Sequence, residues 1–250
     1  MSRRYDSRTT TFTPQGRLMQ VEYAIEAINF SGACIGVLSS EGVILATERK
    51  QTSKLLEQTK SSEKIYVLDK HIMCAVAGLT ADANTLIDRA RNSSQNFNEK
   101  FREPIPIEQL VQDLCNFKQY YTQHGGQRPF GTAFLYAGWD VHHGFQLYHS
   151  DPSGIYGGWK ATSIGTNSQA ANSILTQEYK EGCTLNEALG LVAKVMCRTM
   201  DTTSPSPDKF EIVVVRRDDK KVVHHTLKDD EVLKLLKDNE LYHEEEQTDQ

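Results

Sequence analysis

No window of this 250-residue chain approaches the roughly 20 consecutive apolar residues of a membrane span, so no membrane association is expected. Cysteine is sparse. Cys34, Cys74, Cys115, Cys183 and Cys197 are odd in number, widely spaced and without a Cys-x-x-Cys pair, which argues against a disulfide framework or a thiolate metal site. Reduced, mostly buried thiols in the cytoplasm or nucleus are the expectation. There is no long basic block, and the formal net charge is −5, so nucleic acid is not expected as a partner. The phosphate-binding Gly-x-x-x-x-Gly-Lys-Ser/Thr, Gly-x-Gly-x-x-Gly, Gly-x-Ser-x-Gly and His-Glu-x-x-His patterns are all missing. The paired histidines His142-His143 and His224-His225 are adjacent, and neighbours in a strand point to opposite faces, so neither pair chelates a metal. Asp140, Asp151 and Glu178 show no pairing that spacing reveals, and no cofactor is expected. Met1 to Thr11 is polar and basic and does not read as a signal peptide. Without secretion, Asn29-Phe30-Ser31 and Asn92-Ser93-Ser94 are chance matches to a glycosylation pattern.

What is present is enough apolar sequence for one sizeable domain. After a tail over 1–11, Leu18, Val21, Ile25 and Ile28 make the stripe of a helix over 18–31, with Gly32 as its stop. Two hairpins follow: Ala33 to Leu38 with Val43 to Thr47, then Lys64 to Leu68 with Ile72 to Ala77. A helix capped by Thr80 carries Ala83, Leu86, Ile87, Ala90, Phe97 and Phe101. A second, opening at Pro106, carries Ile107, Leu110, Val111, Leu114, Phe117 and Tyr121. Three strands are expected at Thr132–Trp139, Gly144–His149 and Ile155–Ala161, the last two joined by an Asp151-Pro152-Ser153-Gly154 turn. Another helix pair follows, the second opened by a Thr184–Glu187 capping box. A last hairpin, Phe210–Arg216 with Val222–Leu227, precedes a short helix capped by Asp229 and an acidic tail over 240–250. Helices and strands come in blocks, which points to an α+β fold of antiparallel sheets covered by helix pairs.

Several stretches carry a resemblance. The run Phe12-Thr13-Pro14-Gln15-Gly16-Arg17-Leu18-Met19-Gln20-Val21-Glu22-Tyr23-Ala24 resembles the N-terminal signature of 20S proteasome core α-type subunits. Thr122 to Gly131 and Asp151 to Ala161 resemble further stereotyped stretches of that family. The start of the chain, with Ser7 where most members have arginine, is most similar to the type-4 branch, the third position of the α ring. The resemblance implies the four-layer αββα sandwich of N-terminal-nucleophile hydrolases. It implies a non-catalytic subunit that helps form a seven-membered α ring over the β subunits, gates the axial channel and docks activators for ATP- and ubiquitin-dependent protein degradation. The implied partners are other α subunits, β subunits, regulatory-particle ATPases or other activators, and assembly chaperones.

Catalytic relatives use an N-terminal threonine whose own amine is the base. Alignment of first strands puts that threonine at about Gly32, the supporting acid near Glu48 and the lysine at Lys64, so two supports survive without the nucleophile. The same offsets from Thr132 fall on Tyr148 and Ile164, and from Thr166 on Gly182 and Arg198, so neither threonine is a substitute. The resemblance places Lys64, Gly32 and Leu79 in a pocket between neighbouring subunits that receives activator C-termini. It places Tyr5, Asp6, Pro14 and Tyr23 at the gate, with Pro14 setting a reverse turn. The helices over 82–101 and 107–124 are expected to face the β ring and take part in ring contacts.

Overall fold

The strands Gly42–Glu48, Ile72–Gly78 and Thr132–Asp140 are buried at nearly every position, not at every second one, so both of their faces must be covered. The computed structural model describes residues 8–49, 55, 64–199, 206–219 and 221–242. Tyr5, Asp6 and the acidic end at 244–250 lie outside those residues.

Helix α1 (Met19–Ile28) leads into β1 (Cys34–Leu38) and β2 (Gly42–Glu48), then β3 (Ile65–Asp69) and β4 (Ile72–Gly78). Helices α2 (Thr80–Phe101) and α3 (Ile107–Gln123) follow. Next come β5 (Thr132–Asp140), β6 (Gly144–Ser150), β7 (Tyr156–Gly158) and β8 (Ala161–Ile164). Helices α4 (Ser168–Glu178) and α5 (Leu185–Thr199), strands β9 (Phe210–Asp218) and β10 (Lys221–Thr226), and α6 (Asp229–Asp238) complete the order. The strands form two five-stranded sheets, β10-β9-β2-β1-β8 and β3-β4-β5-β6-β7. Every ladder within them is antiparallel.

Alternation along each strand sorts the core into three layers. Ile35, Val37, Ile44 and Ala46 point outward under α4, α5 and α6, meeting Leu175, Val192, Met196 and Leu236. Cys34, Val43, Leu45, Val213 and Val215 point inward against Ala75, Leu135, Ala137 and Leu147 of the other sheet. The far face of that sheet, with Cys74, Phe134 and Tyr136, is covered by α2 and α3 through Leu86, Ile87, Leu110 and Leu114. The result is the expected αββα sandwich. Helix α1 stands apart from these layers and sends Ile28 into the inter-sheet core.

Several expected boundaries move. The first helix ends at Ile28, not at Gly32. The amides of Asn29, Phe30 and Ser31 bond back to Glu26, Ala27 and Ile28 carbonyls in tight i→i−3 turns that close the helix early. Thr80 and Asp229 are first helical residues, not caps, and Pro106 is a cap, not a first helical residue. The reason is that the first helical bonds run from Ala83, Val232 and Leu110 to the carbonyls of Leu79, Lys228 and Pro106. The capping box at Thr184 is present: its amide donates to Glu187 Oε2 at 2.8 Å, and its hydroxyl accepts the Glu187 amide at 3.3 Å. Phe101, expected on the buried stripe of α2, is exposed at the helix end and packs beside Phe97.

The expected strand Ile155–Ala161 is two strands in different sheets. Tyr156–Gly158 pairs with β6, and Ala161–Ile164 pairs with β1. The chain changes sheet across one peptide. The Trp159 amide donates to Leu147 O of one sheet at 2.8 Å, and Lys160 O accepts the Leu38 amide of the other at 2.8 Å.

Candidate functional site

The segment entering β1 is held before it becomes a strand. Thr166 donates its amide to Ser31 O at 3.0 Å and its hydroxyl to Ser31 O and Asn29 O at 2.5 and 2.9 Å. That grip fixes Gly32 at the end of the sandwich where α1 lies. Lys64, at the foot of β3, projects its ammonium to this point and donates to Glu48 O at 2.8 Å. Glu48 Oε2 accepts the Ala33 amide at 3.4 Å. The three positions inferred from strand alignment, Gly32, Glu48 and Lys64, are therefore neighbours in space.

A side chain at position 32 would meet the Lys64 ammonium. A Cβ there would lie 2.1 Å from Lys64 Nζ and 3.2 Å from Glu48 O. The lysine occupies the volume that a residue-32 side chain would need. A nucleophilic atom close by is the Cys34 thiol, whose sulfur donates to Val76 O at 3.3 Å. Burial pushes this thiol up to about 12 despite the Lys64 charge, so it is not a thiolate and does not replace the missing hydroxyl. Thr132 is fully buried at the head of β5, and the Thr166 hydroxyl is committed to two carbonyls, so neither alternative threonine offers a reactive group.

Beside Lys64 runs a narrow cleft lined by Ser31, Val76, Gly78 and Thr80 among others. Leu79 sits between two of these lining residues, but its side chain is 47% exposed and leans against Gly131. The structure thus joins Gly32 and Lys64 directly and puts Leu79 on the rim.

Pro14 lies in a turn closed by the Gly16 amide on Thr13 O at 2.8 Å, with Gly16 at φ +75°. The Thr13 amide and Arg17 O close the outer bond of the same loop at 2.8 Å. Proline fits the second position of such a turn because its ring fixes φ. Tyr23 follows on α1 and is 42% exposed. Tyr5 and Asp6, the other two gate positions, are outside the described residues.

Sequence reasoning missed one polar node near the cleft. Asp82, in the first turn of α2, accepts both terminal nitrogens of Arg128 at 2.7 and 2.9 Å and the Gly131 amide at 2.9 Å. The hydrogen bond from Arg128 holds this carboxyl below the usual carboxylate range. The partners are distant in sequence, and no spacing signal links them. Among the described residues no group of three or more His, Cys, Asp or Glu could hold a metal ion, and no helix is long and apolar enough to cross a membrane.

Comparison with known proteins agrees with this geometry. Residues 28–215 match the family model for the proteasome subunit, and residues 5–27 match the model for the N-terminal signature of A-type proteasome subunits. A relative from Arabidopsis thaliana, "Proteasome subunit alpha type-4-A", is 56% identical over 237 residues, covering 94% of this chain and 95% of that protein. "Proteasome subunit alpha type-4-1" of Oryza sativa subsp. indica is 58% identical over 215 residues, 86% of each chain. "Proteasome subunit alpha type-4" of Dictyostelium discoideum is 52% identical over 248 residues, covering 98% and 99%.

Proposed function

This chain belongs to the proteasome subunit family, in its α-type branch, and from that premise we propose that it gates the particle and docks activators without cutting peptides itself. It is an α-ring subunit of the 20S proteasome and assembles with other proteasome subunits in the core particle.

The observation that carries the catalytic silence is the contact at Gly32. A competent relative needs a hydroxyl and a free amine at this position. Here position 32 is a glycine with no hydroxyl to offer, and the Lys64 ammonium lies where its Cβ would be. Lys64 has exchanged a catalytic setting for a binding one. Its ammonium, half-buried beside this narrow cleft, suits the terminal carboxylate of a docking tail, because a charge-assisted bond strengthens where water is partly excluded. Gly32 gives that carboxylate close backbone approach, and Leu79 offers an apolar rim. The tails belong to regulatory-particle ATPases or other activators. The Pro14 turn and Tyr23, with Tyr5 and Asp6 upstream, form this chain's share of the gate. Assembly chaperones bring the chain into the ring, and the particle works in cytoplasm and nucleus.

The test is native mass spectrometry of the particle with intact-mass analysis of the released chain. A chain that keeps its N-terminal segment inside the core particle is the expected result. A chain that starts at a threonine would overturn the silent reading, and a chain found only as a monomer would overturn the ring assignment.

A further inference from the structure

Leu79 is the one pocket residue whose position is not set by the pocket. It flanks α2 with extended backbone and no side-chain cap, so local capping does not orient it. Its carbonyl takes the first helical bond of α2 from the Ala83 amide at 3.0 Å, and its amide and side chain are restrained by Gly131. The Leu79 amide donates to Gly131 O at 3.0 Å, and a Cβ on Gly131 would lie 3.0 Å from Leu79 Cδ1. Gly78 presses on the same residue: at φ +121°, its absent Cβ would fall 2.1 Å from Gly131 O. Strand end, Leu79 and Gly131 are therefore packed directly against one another.

Gly131 is fixed in turn by Asp82, which accepts its amide while gripped by both arms of Arg128. Arg128 Nη1 also donates to Pro129 O at 3.0 Å, stiffening the approach to Gly131. Upstream, Gly125 and Gly126 have open space around them and contribute no restraint.

We propose that Asp82 and Arg128 are positioning residues for the docking pocket: their two-armed pair locks the 128–131 segment to α2 and, through Gly131, holds Leu79 against an incoming tail. This rests on the docking reading of Lys64, Gly32 and Leu79 given above. The carboxylate end of the pair is buried and the guanidinium end is exposed, and the planar fork fixes direction as well as distance. Lysine, with a single ammonium, lacks that fork.

The experiment uses assembled core particles carrying the variant chain. The probe is a photoreactive synthetic peptide with a free C-terminal carboxylate and an apolar residue beside it. Its crosslinking to this chain is titrated by peptide concentration, and matched peptides carry alanine at the apolar position or an amidated end. Arg128→Lys is expected to raise the half-saturating concentration about fivefold and to erase most of the preference for apolar over alanine peptide, while the preference for free carboxylate stays. In a Leu79→Ala background Arg128→Lys should add no further loss, since its effect runs through Leu79. Asp82→Asn, which keeps an acceptor for Gly131, should give the same pattern. An unchanged titration for Arg128→Lys and Asp82→Asn, with Leu79→Ala still weak, would overturn the positioning role. So would a loss that persists undiminished in the Leu79→Ala background, or failure of both variants to enter particles, which would mark the pair as a folding element. If Leu79→Ala and Lys64→Ala both left binding unchanged, the docking reading itself would fall.

Discussion

At the scale of single residues, the volume at position 32 decides what Lys64 does. Gly32→Ala puts a methyl 2.1 Å from Lys64 Nζ, so the flexible ammonium must leave and its bond to Glu48 O is lost. A lost hydrogen bond of this kind costs about 1 kcal/mol, and urea denaturation of the purified chain should read that loss. Adding Lys64→Met to Gly32→Ala should cost almost nothing more, because the two changes remove the same contact. A second lysine is informative for the opposite reason. Lys118 is fully buried in α3, donating to Ser150 Oγ at 2.9 Å and to Thr132 O at 3.4 Å, and burial pushes its amine down to about 8. The folded chain then binds fewer protons than the unfolded chain between about pH 8 and the ordinary value of 10.5. Stability contributed by this group is therefore full above 10.5 and is lost as pH falls toward 8. Lys118→Met removes the titration. Its stability advantage over the parent should be largest at about pH 7 and shrink as pH rises to 10.5, seen as converging urea midpoints. Lys118 was legible in the sequence and passed over. Ile107, Val111, Leu114 and Thr122 set a helical spacing that puts position 118 on the buried face, yet its charge argued for the surface. Gly32, Glu48 and Lys64 became legible only through family resemblance, since positions 16 apart say nothing of contact. The Asp82–Arg128 pair left no mark in the spacing at all.

At the scale of elements, strands and helices followed the periodicity closely, and errors gathered where tertiary bonds override local preference. Caps shifted by one residue because the first helical carbonyl is chosen by packing, not by which side chain caps best. The Thr184–Glu187 box is the exception, since it is local and exposed and nothing competes with it. Thr184→Ala should therefore cost about 1 kcal/mol in thermal or urea unfolding, with α5 fraying first by hydrogen exchange. The stretch from Ile155 to Ala161 read as one strand because nothing in its composition marks a change of sheet. The change is made by hydrogen bonds to Leu147 and Leu38, residues far away in the chain.

At the scale of the whole molecule, the two sheets meet through apolar side chains, and one glycine sets how closely. Gly36 faces the inner layer, and a Cβ there would lie 2.7 Å from Leu147 Cδ1 and 3.5 Å from Leu135 Cδ1. Gly36→Ala should overpack the interface and cost about 1–3 kcal/mol, and Leu147→Val in the same chain should restore part of it. Urea midpoints of the three chains check this. The αββα layering was legible in the blocked order of elements, but the distance between sheets was not, because it depends on pairs such as Gly36 and Leu147 drawn from opposite sheets.

The passage at Trp159 and Lys160 has a mechanical consequence. Consecutive residues are bonded to opposite sheets, so the lever arm between the two halves is one peptide long. Sliding one sheet past the other by a single residue, about 3.3 Å, would have to tear one of those anchors.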